Sequence, residues 1–201
     1  MALSKIELYA LINSNIADNT TGQTTNQKVR EVTTQMTNSL LVGIKEVEIL
    51  RAPSTADQVP SALDTPLKVK FGSAVNNTND KVMVSATGDV TFNEAGIYPT
   101  RFKLQAGRSG SSGTVNLWLR ILINGSQVGE SALTKIDTPN FVFPMESRVV
   151  IDADKDDVLT VEIMRDSAGA NEGRLLAATP TTLTWTVAPS ALIVISDYVA
   201  V

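Results

Sequence analysis

Residues 114–129 read TVNLWLRILINGSQVG, and this stretch decides the architecture. Val115, Leu117, Leu119, Ile121 and Ile123 alternate with Asn116, Trp118, Arg120 and Leu122. A period of two separates two faces only on a β-strand. Asn124-Gly125 follows; both residues tolerate positive φ, so the strand is predicted to reverse in a two-residue hairpin. The odd-numbered series is predicted to face a core. The even-numbered series carries both Trp and Leu, which a solvated face seldom does. That face is predicted to be covered, by a self-contact or by a loop of the same chain.

Outward from this hairpin the same period recurs. Strands are predicted over 67–71, 81–86, 89–93, 97–106, 128–133, 140–151, 158–165, 181–187 and 191–196, separated by Gly, Asn, Asp and Pro. Trp185 alternates with Leu183 and Val187 and is predicted to pack in the core. About ten strands without a helix between them imply an all-β sandwich or barrel.

Upstream the period changes. Ser4 with Glu7 and Thr24 with Gln27 have the spacing of capping boxes. Ile6, Tyr9, Ile12 and Ile16 form one apolar stripe at helical spacing, and Val29, Val32, Met36 and Leu40 form another. Asp18-Asn19-Thr20-Thr21-Gly22 is turn chemistry between them, and Gly43 fits a C-cap. Residues 1–45 are therefore predicted to be a helical hairpin. Fewer than about 50 residues rarely bury enough apolar surface to offset chain entropy, so these eight stripe residues are predicted to dock on another surface. Residues 46–66 contain Pro53, Pro60 and Pro66 and read as an extended linker. Residues 67–201 form the β-domain.

Composition narrows the chemistry. The 201 residues include no cysteine and no histidine, which removes disulfides, thiolate nucleophiles, the Ser-His-Asp arrangement and the commonest zinc ligand. With 43% hydrophobic and 19% charged residues, a packed core is expected and wholesale disorder is not. The 17 basic and 21 acidic residues are scattered, so no concentrated positive surface points to nucleic acid. No apolar run approaches the roughly 20 residues that span a bilayer. The first residues lack the layout of a secretion signal, so synthesis in a cytoplasm is expected.

Three motifs invite chemistry and fall short of it. Asp152, Asp154 and Asp156 alternate as in a calcium loop, but the sixth and twelfth positions hold Asp157 and Ile163 instead of Gly and Glu. An acidic turn is expected there. The glycine-rich 107–113 has no Gly-Lys-Ser/Thr ending and no following helix, so it reads as a surface loop. Arg165, Asp166, Glu172 and Arg174 read as surface ion pairs. No constellation amounts to a catalytic site; no enzyme activity, cofactor or metal is expected.

Two resemblances add to this reading. LINSNIADNTTGQTTNQKVREVTTQMTNSLL, residues 11–41, resembles a segment at the start of tailed-bacteriophage structural proteins. VTFNEAGIYPTRFKLQ (90–105), NLWLRILINGSQVG (116–129), DDVLTVEIMRDSAG (156–169) and SALIVISDY (190–198) are together similar to the phage version of the tumour necrosis factor-like jelly roll. In that pattern Glu94-Ala95-Gly96-Ile97-Tyr98 is a tight turn whose Tyr fills the core. The resemblance implies a jelly-roll β-sandwich and a homotrimer in the virion, of the group that supplies head decoration, head fibre and tail fibre proteins. A trimeric capsid decoration protein bound to the major capsid protein is the first expectation, with Trp118, Arg120 and Leu122 at the trimer interface. The alternative is a tail fibre or receptor-binding protein recognising a host glycan or surface protein. Trp118, Tyr98 or the 107–113 loop would then make the contact. Neither reading calls for a nucleic acid or membrane partner.

Overall fold

The chain winds about the hairpin at Asn124-Gly125, where φ is 50° and 78°. A computed structural model describes residues 44–77, 80–108, 110, 113–139, 141–182 and 184–200. The turn joins β7 (Val115–Ile123) to β8 (Ser126–Ile136). Around this pair three more strand pairs are nested. β6 (Gly96–Arg108) pairs with β9 (Val142–Ala153) over twelve residues. β5 (Val90–Phe92) pairs with β10 (Val158–Arg165). β1 (Ile44–Ser54) lies beside β12 (Ala191–Ala200). A hairpin wound on itself in this way is a jelly roll.

The nested pairs sort into two sheets. The first has β9 and β12 on opposite edges of β6, then β1, with β3 (Asn76–Asn77) beyond it and β11 (Gly173–Leu175) extending β6. In the second the order is β4 (Val82–Val84), β5, β10, β7, β8, with β2 (Leu67–Lys68) also on β10. The core between the sheets holds Phe92, Tyr98, Phe102, Leu104, Leu117, Leu159, Ile163, Ile193 and Ile195, all buried. Each such side chain contributes about 1.5–3 kcal/mol by leaving water. Tyr98 follows the turn at Gly96, stacks 4.9 Å from Phe92 and donates its hydroxyl proton to the Glu94 carbonyl at 2.9 Å. Burial of the ring is tolerable because that hydroxyl is partnered.

Two compact units divide the chain: Met1–Glu46 with Tyr198–Val201, and Val47–Asp197, which holds the sandwich core. The helical hairpin expected over 1–45 lies outside the described residues, except that Ile44 and Lys45 already belong to β1.

Three expectations are corrected. Residues 46–54 are not linker: they lie in β1, whose Ile49, Leu50 and Ala52 are core residues. Residues 55–66 carry no regular strand but are pinned. Gln58 exchanges two bonds with the Lys70 backbone, at 2.9 and 2.7 Å. The buried Arg165 guanidinium donates to the Pro60 carbonyl. Prolines set φ and remove donors, but they leave every carbonyl free to accept. Of the strand expected over 181–187, the described residues 181–182 and 184–187 are not in strand conformation. The Ala178–Ala188 bridge closes a loop there, and Trp185 is 76% exposed on it. Finally, the register of β7 on β8 shifts between Leu119 and Ile121. Past this bulge the strict alternation fails, and Ile121 and Leu122 are both buried.

Candidate functional site

The outer face of the second sheet carries the clearest concavity. Cross-strand register sets Trp118 on β7 opposite Met164 on β10, and Arg120 opposite Glu162. With Pro66, and with Gln127 and Ser131 from β8, these side chains line a groove of about 130 Å³. Arg120 donates to Glu162 Oε2 through Nε at 2.8 Å and approaches it through Nη2 at 2.6 Å. Gln127 Nε2 donates to the Gly129 carbonyl at 3.1 Å and to Ser131 Oγ at 3.2 Å.

Trp118 is held from one side. Its Nε1–H donates to Asp166 Oδ2 at 2.5 Å, and Asn116 Nδ2 donates to Oδ1 at 3.1 Å. The bond from Trp118, then that from Asn116 and the backbone of Ala168 and Gly169, holds the Asp166 carboxyl below its ordinary range. A depressed carboxyl pKa contributes stability that is present above the ordinary value of about 4 and lost as pH falls through the folded value. The indole N–H resonance of Trp118 is therefore expected to shift on acidification below about pH 4. Asp166→Asn should abolish that shift; a shift that persists in Asp166→Asn would refute the assignment.

Of the residues expected at a trimer interface, Trp118 and Arg120 meet in this groove. Leu122 does not; buried beyond the bulge, it has little surface to offer. Tyr98, a suspected receptor contact, is interior. Ile6, Tyr9, Ile12, Ile16, Val29, Val32, Met36 and Leu40 lie outside the described residues.

Arg108 departs from the surface loop expected over 107–113. Arg108 is 1% exposed. Its Nε donates to the Gly110 carbonyl at 2.8 Å, and Nη1 to the carbonyls of Gly113 and of Asp137, the latter at 3.2 Å. Nη2 reaches Glu172 Oε2 at 3.1 Å. A Cβ on Gly110 would meet the Glu172 carboxylate at 1.8 Å, so a larger residue there would push Glu172 aside. Among Gly and Ser, an Arg reads as solvated; no sequence signal marked it.

The expected ion pairs among 165–174 are also rearranged. Glu172 serves Arg108, Asp166 serves Trp118, and Arg165 donates to the carbonyls of Asn171 and Pro60. Burial, with Arg174 nearby, pushes the Arg165 guanidinium pKa down. In the acidic turn, Asp157 Oδ2 accepts the Asp154 backbone N–H at 2.9 Å, and Oδ1 accepts from Asn124 Nδ2 at 2.7 Å. That carboxylate ties the turn to the central hairpin.

No protein-family model and no curated protein sequence matches the chain. Solved structures do. The globular domain of zebrafish complement 1qA protein is similar over 73% of this chain and 93% of its own, at 14% identity and a TM-score of 0.43. Murine APRIL, crystallised at pH 8.5, is similar over 76% of this chain and 99% of its own, at 14% identity and a TM-score of 0.47.

Proposed function

We propose that this chain is a structural protein of a tailed-bacteriophage particle, made in the host cytoplasm, that works by binding and not by catalysis. In this reading it is a homotrimer that decorates the assembled head, with residues 1–43 docked on the major capsid protein. Each buried interface then raises the cost of disassembly. The phage context rests on the resemblance of residues 11–41 and of the jelly-roll strands.

The observation that supports self-association is a pair of apolar patches at the two ends of the outer face of the first sheet, on either side of Arg101, Arg148, Lys103 and Glu146. Val150 on β9 stands opposite Pro99 on β6, and Ile97 lies on the same face. Val150 is 61% exposed and Ile97 51%. Toward the other end of β6, Val142, Pro144, Ala188, Pro189 and Leu192, with Lys103 and Gln105, line a depression of about 480 Å³. Exposed apolar clusters are common at interfaces. Pairing of this face with copies of itself would bury both patches around a threefold axis.

Sedimentation equilibrium of the full chain is expected to give three chains per particle. Val150→Arg would bring a cation against Arg101 and Arg148, which pair across the strands two residues on. Association should weaken on the order of 100-fold or more, with an unchanged far-ultraviolet spectrum. A monomeric wild type, or a variant that stays trimeric, would overturn this reading of the face. Placement is tested by counting copies in purified particles. Copies distributed over the head in proportion to capsid subunits support decoration. A few copies confined to the tail or one vertex support the tail-fibre alternative.

A further inference from the structure

The groove on the second sheet has a composition that the trimer reading does not use. Its apolar side is Trp118, Met164 and Pro66; its polar side is the Arg120–Glu162 pair with Gln127 and Ser131. We propose that it binds one neutral pyranose ring of a glycan, stacked on Trp118 and hydrogen-bonded by Glu162, Arg120 and Gln127.

Three observations lead there. The first is size. About 130 Å³ is well below the roughly 300–1,000 Å³ of sites for drug-sized molecules, so the occupant is a single ring-sized unit. The second is polarity. Both Arg120 bonds fall on Glu162 Oε2, so Glu162 Oε1 can still accept and Arg120 Nη1 can still donate. Sugar hydroxyls each give and take a hydrogen bond and can use either. The two charges cancel, and Gln127 and Ser131 are uncharged, so a neutral ligand is favoured over an anion or a cation.

The third is preorganisation. Trp118 is anchored at its ring edge by Asp166, so the indole is held before a ligand arrives and its face, not its N–H, remains for contact. The apolar face of a pyranose suits an aromatic plane. A peptide suits the groove less well. β7 and β10 lie inside the sheet with both edges paired, so the groove floor has no free strand edge on which an extended peptide could add. An apolar side chain inserted there would leave the ion pair and Gln127 facing carbon.

The test is saturation-transfer magnetic resonance on the full chain, with the methyl glycosides of glucose, galactose and N-acetylglucosamine at millimolar concentration. At least one sugar should receive saturation. Trp118→Ala should abolish the signal. Gln127→Ala, at an exposed position, and Glu162→Gln should each weaken binding about tenfold, the value of one good hydrogen bond. Trp185→Ala, which removes the exposed tryptophan elsewhere, should change nothing. Absence of transfer to all three sugars overturns the proposal, as does transfer that survives Trp118→Ala or is lost in Trp185→Ala. Should Trp118→Ala dissociate the trimer, the groove is a subunit contact and the proposal falls. Failure of the Val150→Arg test would leave this groove untouched, so the two readings fail separately.

Discussion

Arg108→Ala is expected to cost about 3–5 kcal/mol of folding stability, the range for removing one partner of a buried charged pair. The guanidinium is 1% exposed and bridges three segments far apart in sequence: its own loop, the end of β8 at Asp137, and Glu172 before β11. Truncation leaves the Gly110, Gly113 and Asp137 carbonyls without this donor, and the loop must open to let water replace it. At a slope of about 2 kcal/mol per molar urea, the unfolding midpoint should fall by roughly 2 M. Glu172→Gln leaves the buried guanidinium without its counter-charge and should cost about 1–3 kcal/mol, less than truncation because Arg108 keeps its carbonyl acceptors. An Arg108→Ala midpoint within experimental error of the parent would mean that the residue is solvated after all.

Phe102→Ala is expected to lose a similar amount, about 3–5 kcal/mol, for a different reason. Phe102 sits at the middle of β6 between Ser147 on β9 and Ile193 on β12. Its ring is fully buried and lies 6.4 Å from that of Phe71. Alanine removes the apolar area and leaves a cavity walled by strands on both sides, which a two-sheet core closes only in part. The melting temperature should drop by about 10 °C, at roughly 2–4 °C per kcal/mol for a chain of this size. Phe102→Leu should cost much less because most of the volume stays. If the two variants melted alike, the core would be relaxing around the gap and the packing argument would be wrong.

The strands that were legible share one property: their signal is local. In 114–123 and 158–165 the alternation of large apolar residues is written in consecutive residues, and the structure places β7 and β10 there. Asn124-Gly125 likewise states its turn in two residues, through backbone conformations that side chains rarely allow. Where apolar alternation misled, something nonlocal overruled it. Leu183, Trp185 and Val187 alternate as a strand would, but the Ala178–Ala188 bridge places Trp185 and Val187 within a loop, and the indole is left in water. β1 was missed because Pro53 and the prolines after it argued for a linker, whereas the residues before them are buried beside β12.

The candidate groove shows the same division. That Trp118 and Arg120 share a face two residues apart follows from strand geometry alone. That Met164 and Glu162 stand opposite them depends on the pairing of β7 with β10, more than forty residues away. The sequence by itself determined the β class of the domain from residue 67 onward, the central hairpin, the absence of histidine and cysteine chemistry, and which residues of β7 point together. Only the tertiary structure decided the nesting of the strand pairs, the bulge that buries Leu122, the burial of Arg108 and the company Trp118 keeps. The physical reason is range: side-chain alternation and turn conformation are set by neighbours along the chain, whereas register between distant strands and the fate of a buried charge are set by which surfaces the whole core brings together.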